Sequence, residues 1–525
     1  MRRLLFLCAV TSLALLPRRD IDGDLTGVTV ARLEALYASH AYTVAEVTRW
    51  HLDRIARYDG VYKAFLHVDR DGALAAAGAE DASASPHGAL WGVPIVIKAN
   101  TSVKGLVTSN GWTGYLVAGH ELIAPRDATI VTKLREAGAV ILGQTNMPDF
   151  AASDTTSSSA GGRTGNAYDW RFSPGGSSGG TVTAVAGSFA VLGNGTDTGN
   201  SIRMPAGTSA LVGVLPTRGL VSIAGIHPLD WLRDNTGPIA RTVTDAAIAL
   251  DAMAGADPRD ARTAESSHAA EPRPYTKYLA ASALRGRRFG VPAFVLHDPP
   301  PPGTKASALP ITKETRAMLM TALDELRAAG ATVVIEPTLL PDAFLSLVGA
   351  IDTRSYRREG TDDFLRDYGP PEYRSVDAFE SAVRRLPPFI SGTGTQSGQQ
   401  TRLETDPDAA RRFWTPRQKA LDAYAAALDR LHLDGLVYPS AQMPPNDETL
   451  PGPPSSGPHS ETGWDNPLGV PAVVVPAGFY PDGLPFGLEF SARRWKDGDL
   501  LAWAFAYEQA TRHRRPPVLV DRIRQ

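Results

Sequence analysis

A unit that recurs along the chain restricts its fold more than any other feature: an amphipathic helix, a glycine, then a short apolar strand. Asp127 can cap a helix running to Ala137, Gly138 can end it, and Ala139-Val140-Ile141-Leu142 reads as a strand buried on both faces. The same order returns at Glu314 to Ala329, Gly330 and Thr332 to Ile335, and again at Gln418 to Leu431 followed by Gly435 to Tyr438. Upstream, Thr43-Val44-Ala45-Glu46 is a capping box, and Val44, Val47 and Ile55 carry an amphipathic helix through Tyr58. Trp91 to Ile97 is a continuous apolar run that stops at Lys98, as expected of a strand covered from both sides. This alternation predicts an α/β fold, a sheet with helices packed on both faces.

Residues 25–520 read as a single domain. The stretches 257–310, 355–412 and Pro444 to Thr462 break the pattern and read as insertions or loops, because none carries an apolar core of its own. No repeat of 20 to 50 residues is visible, which disfavours solenoids and propellers. With 43% hydrophobic and 21% charged residues, disordered and coiled-coil classes are excluded. A net charge of −3 supplies no positive field for a phosphate backbone, so nucleic acid is not expected as a partner. Cys8 is the single cysteine, which excludes an intrachain disulfide, a cysteine metal site and thiol-pair redox chemistry.

Residues 1–24 read either as a secretory signal or as a disordered leader. Met1-Arg2-Arg3 and the apolar run Leu4 to Leu16 have the signal's charge and core, and the run is too short to span a bilayer as a helix. Against cleavage, the small-x-small triplet Ser12-Leu13-Ala14 falls inside the apolar run, and Pro17-Arg18-Arg19 follow directly. Export to the periplasm or medium follows from the first reading and a cytoplasmic location from the second. No stable membrane anchor is expected, since no other run approaches about 18 apolar residues.

The segment from Ser173 to Gly207 is the most informative for chemistry. It contains Ser-Pro-Gly-Gly-Ser-Ser-Gly-Gly at 173–180 and Gly195-Thr196-Asp197-Thr198-Gly199-Asn200-Ser201-Ile202-Arg203-Met204-Pro205. Flexible linkers lack the intervening apolar segment Val182 to Leu192 and do not set Asp, Arg and Pro at the edge of a glycine turn. Phosphate binding is weakly supported, because no G-x-x-x-x-G-K-[ST] is present. Gly176-Ser177-Ser178-Gly179-Gly180 matches the letters of a nucleophile elbow, but Trp170 to Pro174 is a poor strand to precede one. The remaining reading pairs serines with a lysine. The chain carries nine lysines against 44 arginines, and Lys98 ends a buried strand, where desolvation can free it of its proton to act as a base. A strand-end lysine reaching to solvent is the plain alternative.

These residues resemble the amidase signature family. The matching pieces are Gly92 to Lys98 with Asn100, Gly138 to Pro148, Pro174 to Gly180, Gly195 to Pro205, Asp234 to Pro238, and near the C-terminus Gly469 to Ala472, Val475 to Gly478 and Gly483 to Gly487. The likeness runs from about residue 25 to 515 with the motifs in the family's order. It implies a central twisted mixed β-sheet covered by helices on both faces, and hydrolysis of an amide carbon–nitrogen bond. It further implies Ser201 as nucleophile, Ser177 as bridging serine and Lys98 as general base. Backbone N–H groups of Thr198, Gly199 and Asn200 would form the oxyanion hole, with Ser178, Asp197 and Arg203 in support and no metal or other cofactor. Asn200 departs from the family's usual glycine, and Ala99 stands where an acidic residue is common.

Eleven histidines include no H-E-x-x-H and show no metal spacing, which disfavours a zinc hydrolase. The expected partner is a small-molecule amide, extending to anilides, esters or carbamates, and the oligomeric state is left open. The alternative is a glutaminase-like subunit that supplies ammonia within an amidotransferase complex. Trp112, Tyr115, Phe389, Ile390 and Trp464 are candidates either for an apolar pocket or for ordinary loop packing.

Overall fold

Eleven strands form one sheet: β1 (Phe65–Val68), β2 (Pro94–Lys98), β3 (Val140–Thr145), β4 (Leu192–Asp197), β5 (Val212–Leu215), β6 (Asn235–Ala240), β7 (Arg288–Val291), β8 (Thr332–Ile335), β9 (Gly435–Pro439), β10 (Ala472–Phe479) and β11 (Pro485–Ala492). The computed structural model describes residues 20–83, 88–297, 310–385, 400–451 and 457–522. Across the sheet the order is β1-β3-β2-β4-β6-β5-β10-β11-β9-β7-β8. Pairs β2/β3, β2/β4, β7/β9 and β7/β8 are parallel and the others antiparallel, so the sheet is mixed. All residues of β2, β3, β4, β6, β9 and β11 are buried, as the apolar runs Pro94 to Ile97, Val140 to Leu142 and Leu436 to Tyr438 require.

Helices cover the sheet. They include α1 (Val44–Tyr62), α2 (Thr129–Glu136), α3 (Gly179–Ala186), α4 (Arg203–Gly207), α5 (Val243–Met253), α6 (Lys313–Ala328), α7 (Arg357–Tyr368), α8 (Thr415–Arg430), α9 (Asp465–Leu468) and α10 (Asp497–Thr511). The capping box at the start of α1 is complete, with Thr43 and Glu46 satisfying each other's backbone N–H. Gly138, at φ +87, ends the α2 unit as its position predicts. Asp127 does not cap α2, because its carboxylate instead accepts from Lys104 N at 2.7 Å and pairs with Arg135.

Two departures from the sequence reading concern the sheet. The 257–310 stretch is not all loop, since Arg288–Val291 enters the sheet as β7; its Phe-Gly-Val is too short to register as a strand by periodicity. β8 is an edge strand, partly exposed along its length, rather than a buried one. Within 355–412, α7 and the helix Val376–Val383 bring Phe364, Tyr368 and Phe379 onto Trp112, Tyr115 and Phe150, forming a satellite core. Residues 1–19, Phe389 and Ile390 lie outside the described residues. Among the described residues no helix is long and apolar enough to cross a membrane.

Candidate active site

Four neighbouring segments converge at the C-terminal ends of β2 and β4. Lys98 closes β2 and is wholly buried, with its backbone N–H donated to Asn194 Oδ1 at 2.9 Å. Its side-chain nitrogen reaches Ser177 Oγ at 2.7 Å, Ser178 Oγ at 2.9 Å and Thr196 O at 3.3 Å. Burial lowers its pKa to about 7, against the opposing pull of Asp197 and Asp234. Ala99 offers no carboxylate, and the lysine is oriented by hydroxyls instead.

Ser177 and Ser178 occupy the turn into α3. The Gly176–Ser177 peptide bond is cis. The glycines here are forced by close approach: a Cβ on Gly176 would lie 2.5 Å from Thr155 O, and one on Gly180 would lie 2.4 Å from Asn146 O. Ser178 precedes α3 without following a strand, so the elbow match is a coincidence of letters.

Ser201 lies on the turn between β4 and α4, 6% exposed, with its carbonyl accepting from Ser178 N at 3.2 Å. Its hydroxyl makes no hydrogen bond among the described residues, nor do the backbone N–H groups of Thr198, Gly199 and Asn200 donate to any. A Cβ on Gly199 would meet nothing within 4 Å, so this turn faces open space. Three unspent donors beside a hydroxyl are what stabilisation of an oxyanion requires. Thr198 Oγ1 donates to Asp234, and Asn200 Nδ2 donates to Asp154 Oδ1 at 3.1 Å and Ser460 Oγ at 2.9 Å. The asparagine side chain is thus directed sideways to its neighbours.

Behind the turn, Arg203 pairs with Asp197 at 3.2 Å, and Nη2 also donates to Gly199 O at 2.7 Å. Burial pushes the Asp197 carboxyl up, but Arg203 and the Ile202 N–H outweigh it and hold it below the usual range. Sequence reasoning missed the rest of this cluster: Asp465 of α9, Glu489 of β11 and Asn466, all within 2.9 Å of the guanidinium. Glu489 carried a signal, a lone acid between Leu488 and Phe490 in an apolar strand. Of the proposed aromatics, Trp112 and Tyr115 are packed in the satellite core, whereas Trp464 lines a cavity of about 460 Å³ with Arg233, Thr353 and Ser460.

The family model described as Amidase matches residues 46–501. The chain belongs to this amidase signature family. It is therefore an enzyme of the class that hydrolyses carbon–nitrogen bonds, and its mixed sheet is the fold of that family. Relatives include the glutamyl-tRNA(Gln) amidotransferase A subunit of Salinispora arenicola, 34% identical over 94% of this chain and 100% of that protein. The corresponding protein of Gloeobacter violaceus is 33% identical over 94% and 98%. Among solved structures, the peptide amidase of Stenotrophomonas maltophilia matches with TM-score 0.78 and 31% identity, covering 94% of this chain and 98% of that one. The amidotransferase A subunit of Thermotoga maritima matches with TM-score 0.67 and 27% identity, covering 92% and 94%.

These relatives correct the expectation that a small-molecule amide is the only partner. Proteins matched over nearly their full length are named as subunits, and for a tRNA-linked reaction. Net charge argued only against a positive field on this chain; an interface between subunits needs none, because such surfaces are no more charged than the rest of a protein.

Proposed function

We propose that the chain is a glutaminase-like subunit that releases ammonia from an amide for use by an amidotransferase, with Ser201 as its nucleophile. Full-length similarity to the amidotransferase subunits carries this reading. The chemistry follows from the site. Neutral Lys98 accepts the Ser177 proton as Ser177 accepts that of Ser201, whose Oγ attacks the amide carbonyl. The oxyanion is met by the N–H groups of Thr198, Gly199 and Asn200, each such donor contributing roughly 3 kcal/mol of barrier lowering. The relay returns one proton to the departing nitrogen, ammonia leaves, and water attacks the acyl-enzyme with Lys98 again as base. Asp197 and Arg203 hold the turn, and Ser178 holds the lysine.

A free-standing amide hydrolase is the second reading, favoured by the better superposition on the peptide amidase than on the Thermotoga protein. Ammonia release from glutamine and from a peptide C-terminal amide separates them, each with Ser201→Ala as control. Ser201-dependent turnover of glutamine above that of the peptide amide supports the amidotransferase reading; the opposite ranking overturns it in favour of the second.

A further inference from the structure

Arg203 is surrounded by more acid than it can neutralise. Its Nη1 meets Glu489 Oε1 at 2.6 Å and Asp465 Oδ2 at 2.7 Å, while Nε and Nη2 face Asp197 at 3.2 and 3.3 Å. All four side chains are at 0% exposure. Three ionised carboxylates against one guanidinium would leave uncompensated charge in a dry interior, which is far more costly than protonating a carboxyl.

The surroundings decide where the proton resides. Tyr438 of β9 brings its hydroxyl within 3.1 Å of Asp465 Oδ2, and Ser491 of β11 lies 3.2 Å from Oδ1. Tyr424 of α8 stands beside Asp465, Arg233 beside Asp197, and Lys98 and Asp234 on the catalytic side of Asp197. Asp197 is met by Arg203 through Nε and Nη2 and by Ile202 N at 2.8 Å, which hold its carboxyl below the usual range. Burial drives the other two carboxyls up, Asp465 well above the carboxylate range and Glu489 to about 7. Glu489 Oε2 has no hydrogen-bond partner among the described residues.

We propose that Asp465 and Glu489 are positioning residues for the reaction: acting through Arg203 they hold the turn that carries the oxyanion donors and Ser201, and loss of the Glu489 proton loosens it. The inference rests on the nucleophile assignment above. While Glu489 is neutral, Arg203 balances Asp197 and keeps Nη2 on Gly199 O. Once Glu489 ionises, a second full anion competes at Nη1 and draws the guanidinium from both. The negative charge freed at Asp197 also favours protonated Lys98, which removes the base. Reactivity of Ser201 therefore rises as Lys98 loses its proton and falls as Glu489 does.

The test is the rate at which a fluorophosphonate labels Ser201, a step in which the Oγ–P bond forms and fluoride leaves, followed from about pH 5 to 10. Wild type, Glu489→Gln, Asp465→Asn and Ser201→Ala are compared. We expect a bell for wild type, a bell for Asp465→Asn, and for Glu489→Gln a plateau on the alkaline side about 5-fold above wild type at pH ~9, with the rise assigned to Lys98 at the wild-type pH or lower. A Glu489→Gln profile of wild-type shape, whether or not uniformly lowered, overturns the proposal, since a purely structural role scales all rates alike. Melting curves supply a second arm. Glu489's carboxyl is raised in the folded state, so its contribution to stability is lost as pH climbs from about 4.5 through about 7, and Glu489→Gln abolishes that loss. Labelling of Ser201→Ala at the wild-type rate would refute the nucleophile itself, an outcome distinct from the failure of the carboxylate pair.

Discussion

The two sides of the nucleophile turn are built from opposite materials. On one, Lys98 is held by two hydroxyls and a carbonyl and faces no carboxylate directly. On the other, Arg203 is packed against three acids. The same dry surroundings have different consequences because the two cations differ in acidity. Desolvation brings the lysine into the range where it can exchange a proton, whereas the guanidinium keeps its charge and forces its acids to adjust. In the proposed mechanism, burial thus makes a base of one cation and a fixed anchor of the other.

Exchanging the parts should break this division. Ser201→Ala should remove on the order of 10⁴-fold or more of amide turnover, measured as ammonia release, with the fold unchanged. Lys98→Arg should cost on the order of 10³-fold, since the charge stays but the proton cannot leave. In wild type, kcat/KM should rise from the acid side as pH approaches about 7, the protonated lysine being unable to accept from Ser177, before the fall assigned to Glu489 sets in. On the anchor side, Arg203→Met should lower stability by about 3–5 kcal/mol in denaturant titration, because buried acids lose their counter-charge. Ser178→Ala should lower kcat by about 10-fold through loss of one hydrogen bond to the base. Smallest of all, Asn200→Gly should change kcat about 3-fold, since its backbone donor survives and only the side-chain ties to Asp154 and Ser460 are lost.

The two sides also differ in legibility. Lys98, Ser177, Ser178 and Ser201 lie in contiguous motifs whose glycines are dictated by close packing, so local sequence marks them. So does the pair Asp197 and Arg203, which flank one turn. Asp465 and Glu489 stand 262 and 286 residues beyond Arg203, and the pairing of β10 with β5 and of β11 with β10 brings them in. No local pattern encodes that meeting. The buried strands β2 and β3 are readable from their apolar runs, whereas β7 is lost in a proline-flanked stretch and β8 reads as buried because Thr-Val-Val-Ile fits an edge and an interior equally well.

The reach of Arg203 has a bearing on biosynthesis. During synthesis the lysine and both serines emerge long before Thr462, Asp465, Asn466 and Glu489, each of which touches the guanidinium. A nascent chain thus carries the groups proposed to react while the frame that aligns them is still in the ribosome. If the proposed serines react, completion of the last strands rather than their own appearance is the moment at which the polypeptide becomes competent to act.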